Sequence, residues 1–259
     1  MIPKTIHYVW LGDNPMPDRV KRCRESWLRL MPDYKIRLWG EPDISCIGSL
    51  FLQESVKEGM WAFASDVVRM YALYNHGGIY LDTDVMVHKR FDALLDNPAF
   101  CGRENSMHLV GGHTMNYLTT CCMGAEKGNA FIRRCLDYYK GRHFVTSEDR
   151  SLPSGLRLDL RLNSEIMCFL AKEIGYYPGV LSDSIQYCSN MLTVYPKDFF
   201  DPQGLTENSY CHHLALGSWR DVPITRYYDY TLAYKLQWRI WAALDKILKH
   251  FNRKIIRLE

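Results

Sequence analysis

None of the nine cysteines forms a C-x-x-C pair, and their number is odd. Both facts argue against a disulfide framework, and the spacing argues against a structural zinc site. Mostly buried thiols in a reducing compartment are the expectation. No run approaches the ~18–20 apolar residues that a membrane-spanning helix needs. The opening "MIPKTIHYVWLG" has no long apolar leader segment, so a cytoplasmic location is expected. Internal repeats and low-complexity tracts are missing as well. Net charge is small, +3 over 259 residues, and it is unevenly placed. From Ala233 to Glu259, Lys235, Arg239, Lys246, Lys249, Arg253, Lys254 and Arg257 face only Asp245 and Glu259. The end of the chain is therefore basic and the remainder slightly acidic.

What is present reads as α/β. "TIHYVWLG" (Thr5 to Gly12) is a first buried strand, and Asp18 is placed to cap the helix after it. Val20, Cys23, Trp27 and Leu30 recur at helical spacing, and "YKIRLW" then alternates with period two. This β-α-β opening predicts a parallel pair with a right-handed crossover. Ser49 to Glu58 reads as a short helix. In "AFASDVVRMYALYNHGG", Phe63, Val67, Met70 and Tyr74 mark an apolar helix face, and Gly77–Gly78 stops it. "IYLDTDVMV" follows as a strand interrupted at its acids. Further strands are predicted near Phe100–Gly102, Thr119–Met123 and Tyr210–Leu214, and helices near Asn129–Tyr139 and Ser164–Glu173. Arg142 to Arg161 reads as a loop-rich insertion. Trp27 and Trp39 read as core.

The chemistry concentrates in "GGIYLDTDV". Asp82 and Asp84 follow a buried strand, and like charges at a strand end must be solvated, paired or metal-bound. If the strand continued, alternation would point both to one side. At the carboxyl end of a parallel strand they would face the crevice where open sheets bind ligands. Two hard oxygen donors there suit Mg²⁺ or Mn²⁺ carrying a substrate phosphate. Asp66 and Arg69, three residues apart, share a flank of the preceding helix. They read either as a local ion pair or as a clamp for phosphate and sugar oxygens.

"IPKTIHYVWLG", "ASDVVRMYALYNHGGIYLDTDV" and "HHLALGSW" together resemble the retaining glycosyltransferases of family 32. Clostridial glucosylating toxin domains are more distant relatives. The likeness is good over about the first 90 residues, returns near Cys211–Trp219, and is weak between. It implies a GT-A fold with a Rossmann-like, mostly parallel sheet, spanning residues 1–225 and followed by a tail over 226–259. It further implies a nucleotide-sugar donor, UDP-sugar favoured over GDP-mannose, and Mn²⁺ or Mg²⁺ as cofactor. By the same resemblance Trp10 meets the nucleobase, with Val9 and Leu11 lining that pocket. Asp66, Arg69 and Tyr80 hold donor sugar and phosphate. Asp82 contacts ribose or sugar and reaches the metal through water. Asp84 is the direct metal ligand, with Asp66, Arg69, Asp82 and Asp84 as the catalytic set. Ser218 and Trp219 touch the diphosphate. His213, ahead of His212, is the third metal ligand, and in a strand the two imidazoles point opposite ways. The acceptor is expected to be a saccharide, in particular a lipid-linked oligosaccharide of bacterial capsule or O-antigen assembly.

The tail from Leu232 places Leu236, Ile240, Leu244, Ile247, Leu248, Phe251, Ile255 and Leu258 within one ~120° stripe opposite its Lys and Arg. This suits a peripheral helix on the anionic cytoplasmic face of a membrane, or one docked on the catalytic domain, or a homodimer contact. No nucleic-acid motif accompanies it. Two other functions compete. A metal-dependent phosphohydrolase would want Thr where Met86 stands, and a sugar-nucleotide binder without turnover would have no need of both acids.

Overall fold

The computed structural model describes residues 1–110, 113–179 and 183–216. Ser218, Trp219 and the expected helical tail lie outside them. The element order opens with β1 (Thr5–Val9), α1 (Asp18–Leu30) and β2 (Lys35–Trp39), then α2 (Glu41–Ile44), α3 (Leu50–Lys57), α4 (Trp61–His76), β3 (Gly78–Leu81) and β4 (Val85–Val87). It continues with β5 (Ala99–Val110), β6 (His113–Ala125), α5 (Ala130–Tyr138), α6 (Ser154–Arg157) and α7 (Asn163–Lys172). β7 (Gln186–Cys188), β8 (Leu192–Tyr195), α8 (Lys197–Phe200) and β9 (Cys211–His213) complete it.

The main sheet runs β2-β1-β3-β6-β5-β8-β7. β1 pairs in parallel with both β2 and β3, and β5 with β8, while β6 and β7 run against their neighbours. The sheet is thus mixed but mostly parallel, as the β-α-β opening predicts. The chain leaves β1 toward β2 on one side and later returns to place β3 on the other. That makes the carboxyl ends of β1 and β3 a switch point, the place where open α/β sheets bind ligands. β4 and β9 form a separate antiparallel pair beside it.

Each face of the sheet carries its own core. α3, α4, α5 and α7 contribute to the cluster around Leu52, Val67, Met70, Phe131 and Met167, all fully buried. α1, β4 and α8 contribute to the cluster around Trp27, Val85, Phe91 and Phe200. Along α4, Phe63, Val67, Met70 and Leu73 are buried, each stabilising the fold by ~1.5–3 kcal/mol. Trp27 and Trp39 are core, as expected. So are the thiols: eight of the nine cysteines are buried, Cys46 is exposed, and none forms a disulfide.

α4 ends where glycine is required. Gly77 and Gly78 have φ of +66° and +110°, and a side-chain carbon at Gly78 would sit 2.6 Å from the Thr5 carbonyl oxygen. The pair lets α4 turn directly into β3 against β1.

His7 locks the same junction. It is buried, its Nε2–H donates to the Gly77 carbonyl at 2.8 Å, and Nδ1 accepts the Trp39 indole N–H at 3.1 Å. Protonation would set two donors face to face across that second bond. Burial lowers the His7 pKa from 6.5 to about 4. The unfolded chain therefore takes up a proton in this window that the folded chain does not, and stability falls as pH drops from about 6.5 to about 4. The loss is on the order of 2–3 kcal/mol at the acid end. Urea unfolding of wild type and His7→Gln at neutral pH and near pH ~4.5 is expected to show the gap between them narrowing on acidification. A constant gap would rule out this role for His7.

Two sequence expectations are corrected, and the break at the acids is found as expected. Helix α1 begins at Asp18 with Pro17 in the cap position, so Asp18 is the first helical residue and pairs with Lys21 at 3.0 Å. The short strands expected near Phe100–Gly102 and Thr119–Met123 are parts of a long β5–β6 hairpin, interrupted by register shifts between Phe100/Gly102 and Arg103/Met107. Those shifts break the side-chain alternation and hide the strands from a period-two reading. The strand interrupted at its acids ends at Leu81 and resumes at Val85, and the Val85 N–H bonds the Asp82 carbonyl at 3.0 Å. Asp82 and Asp84 therefore sit in a turn, and strand alternation does not set their direction. The segment 142–161 is loop-rich as expected, with the single turn α6 within it. Among the described residues, no helix is long and apolar enough to cross a membrane.

Candidate active site

The turn after β3 is held from several sides. The Asp82 N–H donates to the Cys121 carbonyl at 2.8 Å. Beyond the turn, Trp27 donates its indole N–H to the Val85 carbonyl and the Ser26 hydroxyl accepts the Val87 N–H, which fixes β4 on α1. β9 then pairs with β4 in a register that sets Val85 opposite His213.

That register brings His213 to the motif. Its Nε2 lies 2.9 Å from Asp84 Oδ1, while Asp84 Oδ2 accepts the Leu216 N–H at 2.9 Å and its backbone carbonyl accepts that of Leu214 at 3.0 Å. Burial works to raise the Asp84 carboxyl, but His213 and the Leu216 N–H outweigh it and hold the pKa below its ordinary value. Burial likewise opposes charge on His213, yet the Asp84 bond and the charges of Asp84, Asp82 and Asp201 raise it to about 9. His212 points the other way, as strand alternation requires, and stacks on His88 with Nδ1 and Nε2 2.7 Å apart.

Asp82 faces α4. Arg69 Nη2 donates to Asp82 Oδ1 at 3.0 Å and lies 3.4 Å from Asp66 Oδ1. The guanidinium lies over the Tyr80 ring, 4.5 Å from its centroid. Arg69 is almost fully buried, and its Nε and Nη1 have no hydrogen-bond acceptor. The local ion pair is thus formed, through Nη2 alone, while Nε and Nη1 keep no acceptor. Burial, helped by the Asp82 charge and opposed by Arg69, raises the Asp66 carboxyl to about 7.

Val9, Trp10 and Leu11 leave the carboxyl end of β1. Val9 and Leu11 are buried; Trp10 is half-buried, with its backbone N–H on the Trp39 carbonyl at 3.1 Å and its indole N–H on the Asn14 carbonyl at 2.9 Å. Since β1 and β3 are neighbours, Trp10 and Asp82 share one end of the sheet.

Two residues here escape a sequence reading. Trp61, half-buried at the start of α4, lies against Gly12, where a side-chain carbon would sit 3.2 Å from its ring. Asp201, just past α8, adds a third negative charge near His213. Trp61 stands five residues before Asp66, which gives it a detectable place on the motif helix. Nothing in "KDFFDP" marks Asp201.

A divalent cation fits this donor set with a condition. Asp84 and Asp82 carry hard oxygen donors and His213 an imidazole, with His213 Nε2 2.9 Å from Asp84 Oδ1. Among the described residues, however, no three His, Cys, Asp or Glu side chains are grouped closely enough to hold a metal by themselves. The protein would furnish part of a coordination shell, and substrate oxygens and water the rest, as is usual for Mg²⁺-type sites.

Residues 17–101 match a family described as the glycosyltransferase sugar-binding region containing DXD motif, so the resemblance is borne out. Inositol phosphoceramide mannosyltransferase 3 of Schizosaccharomyces pombe is 32% identical over 135 residues, 51% of this chain and 35% of its own length. The mannosyl phosphorylinositol ceramide synthases CSH1 and SUR1 of Saccharomyces cerevisiae are each 31% identical over 39% of this chain and 27% of theirs. The chain thus matches about a third or less of the length of these curated relatives. Among solved structures, the PaToxG glycosyltransferase aligns over 66% of this chain and 69% of its own at 18% identity, TM-score 0.47. The UDP-bound glycosyltransferase domain of the YGT toxin aligns over 53% and 61% at 13% identity, TM-score 0.38.

Proposed function

We propose that a chain carrying this DXD sugar-binding region transfers a hexose from a nucleoside-diphosphate sugar to a hydroxyl of a saccharide- or cyclitol-bearing acceptor, with retention of anomeric configuration. The observation that carries the proposal is Arg69. A buried guanidinium with two nitrogens, Nε and Nη1, lacking an acceptor, braced through Nη2 by Asp66 and Asp82 at the sheet's switch point, is costly unless ligand oxygens complete it. Diphosphate or sugar oxygens are suited to those donors.

Asp84, with Asp82 and His213, would hold Mn²⁺ or Mg²⁺, which when bound neutralises charge on the departing diphosphate. The chain's own residues do the remainder. Arg69 donates to donor oxygens as negative charge develops, Asp66 accepts a sugar hydroxyl, and Trp10 offers a flat face to the base. Retention fits the state of the carboxylates. Asp82 is engaged by Arg69, Asp84 by His213 and Leu216, and Asp66 titrates near neutrality, so none stands free as a nucleophile. Front-face attack by the acceptor, its proton passing to the departing phosphate, needs none.

The relatives' names point to a mannosyl donor and an inositol-containing lipid acceptor. A lipid-linked saccharide of a surface polysaccharide offers the same ring-hydroxyl chemistry. Thermal unfolding of the full chain with Mn²⁺ and each of UDP-glucose, UDP-galactose and GDP-mannose separates the donors. The true donor at about a hundred times its Kd is expected to stabilise the fold by ~2.7 kcal/mol, or about 5–10 °C. No shift with any nucleotide sugar would contradict the donor-binding reading.

A further inference from the structure

Helix α1 turns a basic face to solvent. Arg19, Lys21, Arg22, Arg24 and Arg29 are all exposed, against the two carboxylates of Asp18 and Glu25. Lys21 pairs with Asp18 at 3.0 Å. The guanidinium groups of Arg19, Arg22, Arg24 and Arg29 form no salt bridge or hydrogen bond among the described residues. We infer that this face docks on an anionic lipid bilayer. Such docking goes beyond sugar transfer and does not depend on it.

Helical spacing organises the face. Val20, Cys23, Ser26 and Trp27 are buried against the sheet side. Opposite them, Arg22 and Arg29, two turns apart, form one row, and Lys21, Arg24 and Leu28, at i, i+3 and i+7, form another. Leu28 is 45% exposed, so an apolar side chain stands among the cations. Arginine stems can lie along the acyl boundary beside it while their guanidinium groups stay with lipid phosphates.

The neighbours leave this charge uncancelled. Trp27 and Ser26 hold β4 against α1, and the chain just past β4 adds the exposed Lys89 and brings His88 within electrostatic reach of Arg29. Asp33 and Asp92, the acids at the end of α1, are already paired with Lys4 and Arg90. An anionic surface is therefore the complement that this face lacks. Its shape and composition favour lipid over nucleic acid. Single strands follow a basic groove lined with aromatic rings, whereas α1 is convex and none of its exposed residues is aromatic.

The face also adjoins the candidate active site. α1 follows the loop that leaves the carboxyl end of β1, and the charges of Arg22 and Asp84 both reach the Cys23 thiol between them. A bilayer under α1 would run past the edge of the site nearest Asp84, so chemistry at that edge would take place close to the membrane surface.

Flotation of the full chain with vesicles of phosphatidylcholine, with and without about 30% phosphatidylserine, tests the assignment. Binding is expected only with the anionic lipid, and it is expected to weaken at least tenfold between about 0.1 M and about 0.5 M salt. The triple variant Arg22→Gln/Arg24→Gln/Arg29→Gln leaves the basic end of the chain intact. It is expected to partition onto anionic vesicles at least tenfold more weakly, with a melting temperature within about 2 °C of wild type. Arg22→Lys/Arg24→Lys/Arg29→Lys is expected to bind as wild type does, because attraction to a bilayer needs charge and not a bidentate fork. Partition that is unchanged in the glutamine variant, equal on neutral vesicles, or lost in the lysine variant overturns the assignment. So does binding of an RNA oligonucleotide, and not of anionic vesicles, that disappears in the glutamine variant.

Discussion

Asp84→Ala is expected to reduce sugar transfer by at least ~10³-fold, the scale of losing a principal source of charge stabilisation at a transferring phosphate. The change removes three things together: the carboxylate that would hold the cation, the acceptor for His213, and the acceptor for the Leu216 N–H. The last two are structural, so Asp84→Asn is the sharper variant. It keeps the shape and one acceptor oxygen, for the Leu216 N–H, sets an amide N–H against the Nε2 of a neutral His213, and discards the charge. Without that charge His213 loses its main support for the protonated form. Steady-state kinetics on both variants with saturating Mn²⁺ is expected to show nearly equal losses. Transfer by Asp84→Asn within tenfold of wild type would mean that Asp84 serves chiefly to seat β9.

Arg69→Lys is expected to lower kcat by ~10²-fold with a smaller effect on KM, because a point charge replaces a planar group whose Nη2 meets both acids and whose Nε and Nη1 are left to donate to a ligand. Lysine keeps a cation between Asp66 and Asp82, so the melting temperature is expected to fall by only a few degrees. Arg69→Ala is the destabilising comparison, since it leaves two half-buried carboxylates without a counter-charge. A lysine variant that retains kcat but melts far below wild type would make Arg69 a structural residue and remove the observation on which the proposed function stands.

The sequence makes much of this site legible because its parts are local. Asp66 and Arg69 share one helix, Gly77–Gly78 forces an immediate turn into β3, and Asp82 and Asp84 follow within a few residues. Residues so close along the chain have few ways to be arranged. His213 is legible for another reason: it lies on a short strand whose alternation separates it from His212, and a resemblance to known enzymes marks it. The direction of the two acids is not legible from periodicity, since a turn replaces the strand at that point. Asp201 reaches the site through tertiary packing and carries no pattern of its own, whereas Trp61 is marked only by its place on the motif helix. The long β5–β6 hairpin is hidden by its register shifts, and β7 and β8 by their shortness. The loop-rich segment 142–161 is held by Glu54 and Glu58, acids that no sequence pattern singles out.

Binding of Mn²⁺ to the full chain, followed by electron paramagnetic resonance with and without UDP or GDP, most directly tests the claim that protein and donor complete one cation site between them. Weak Mn²⁺ binding alone, tightened at least tenfold by one nucleotide and abolished in Asp84→Asn, is the expected result. Manganese affinity that is indifferent to both nucleotides, or that survives intact in Asp84→Asn, would contradict it.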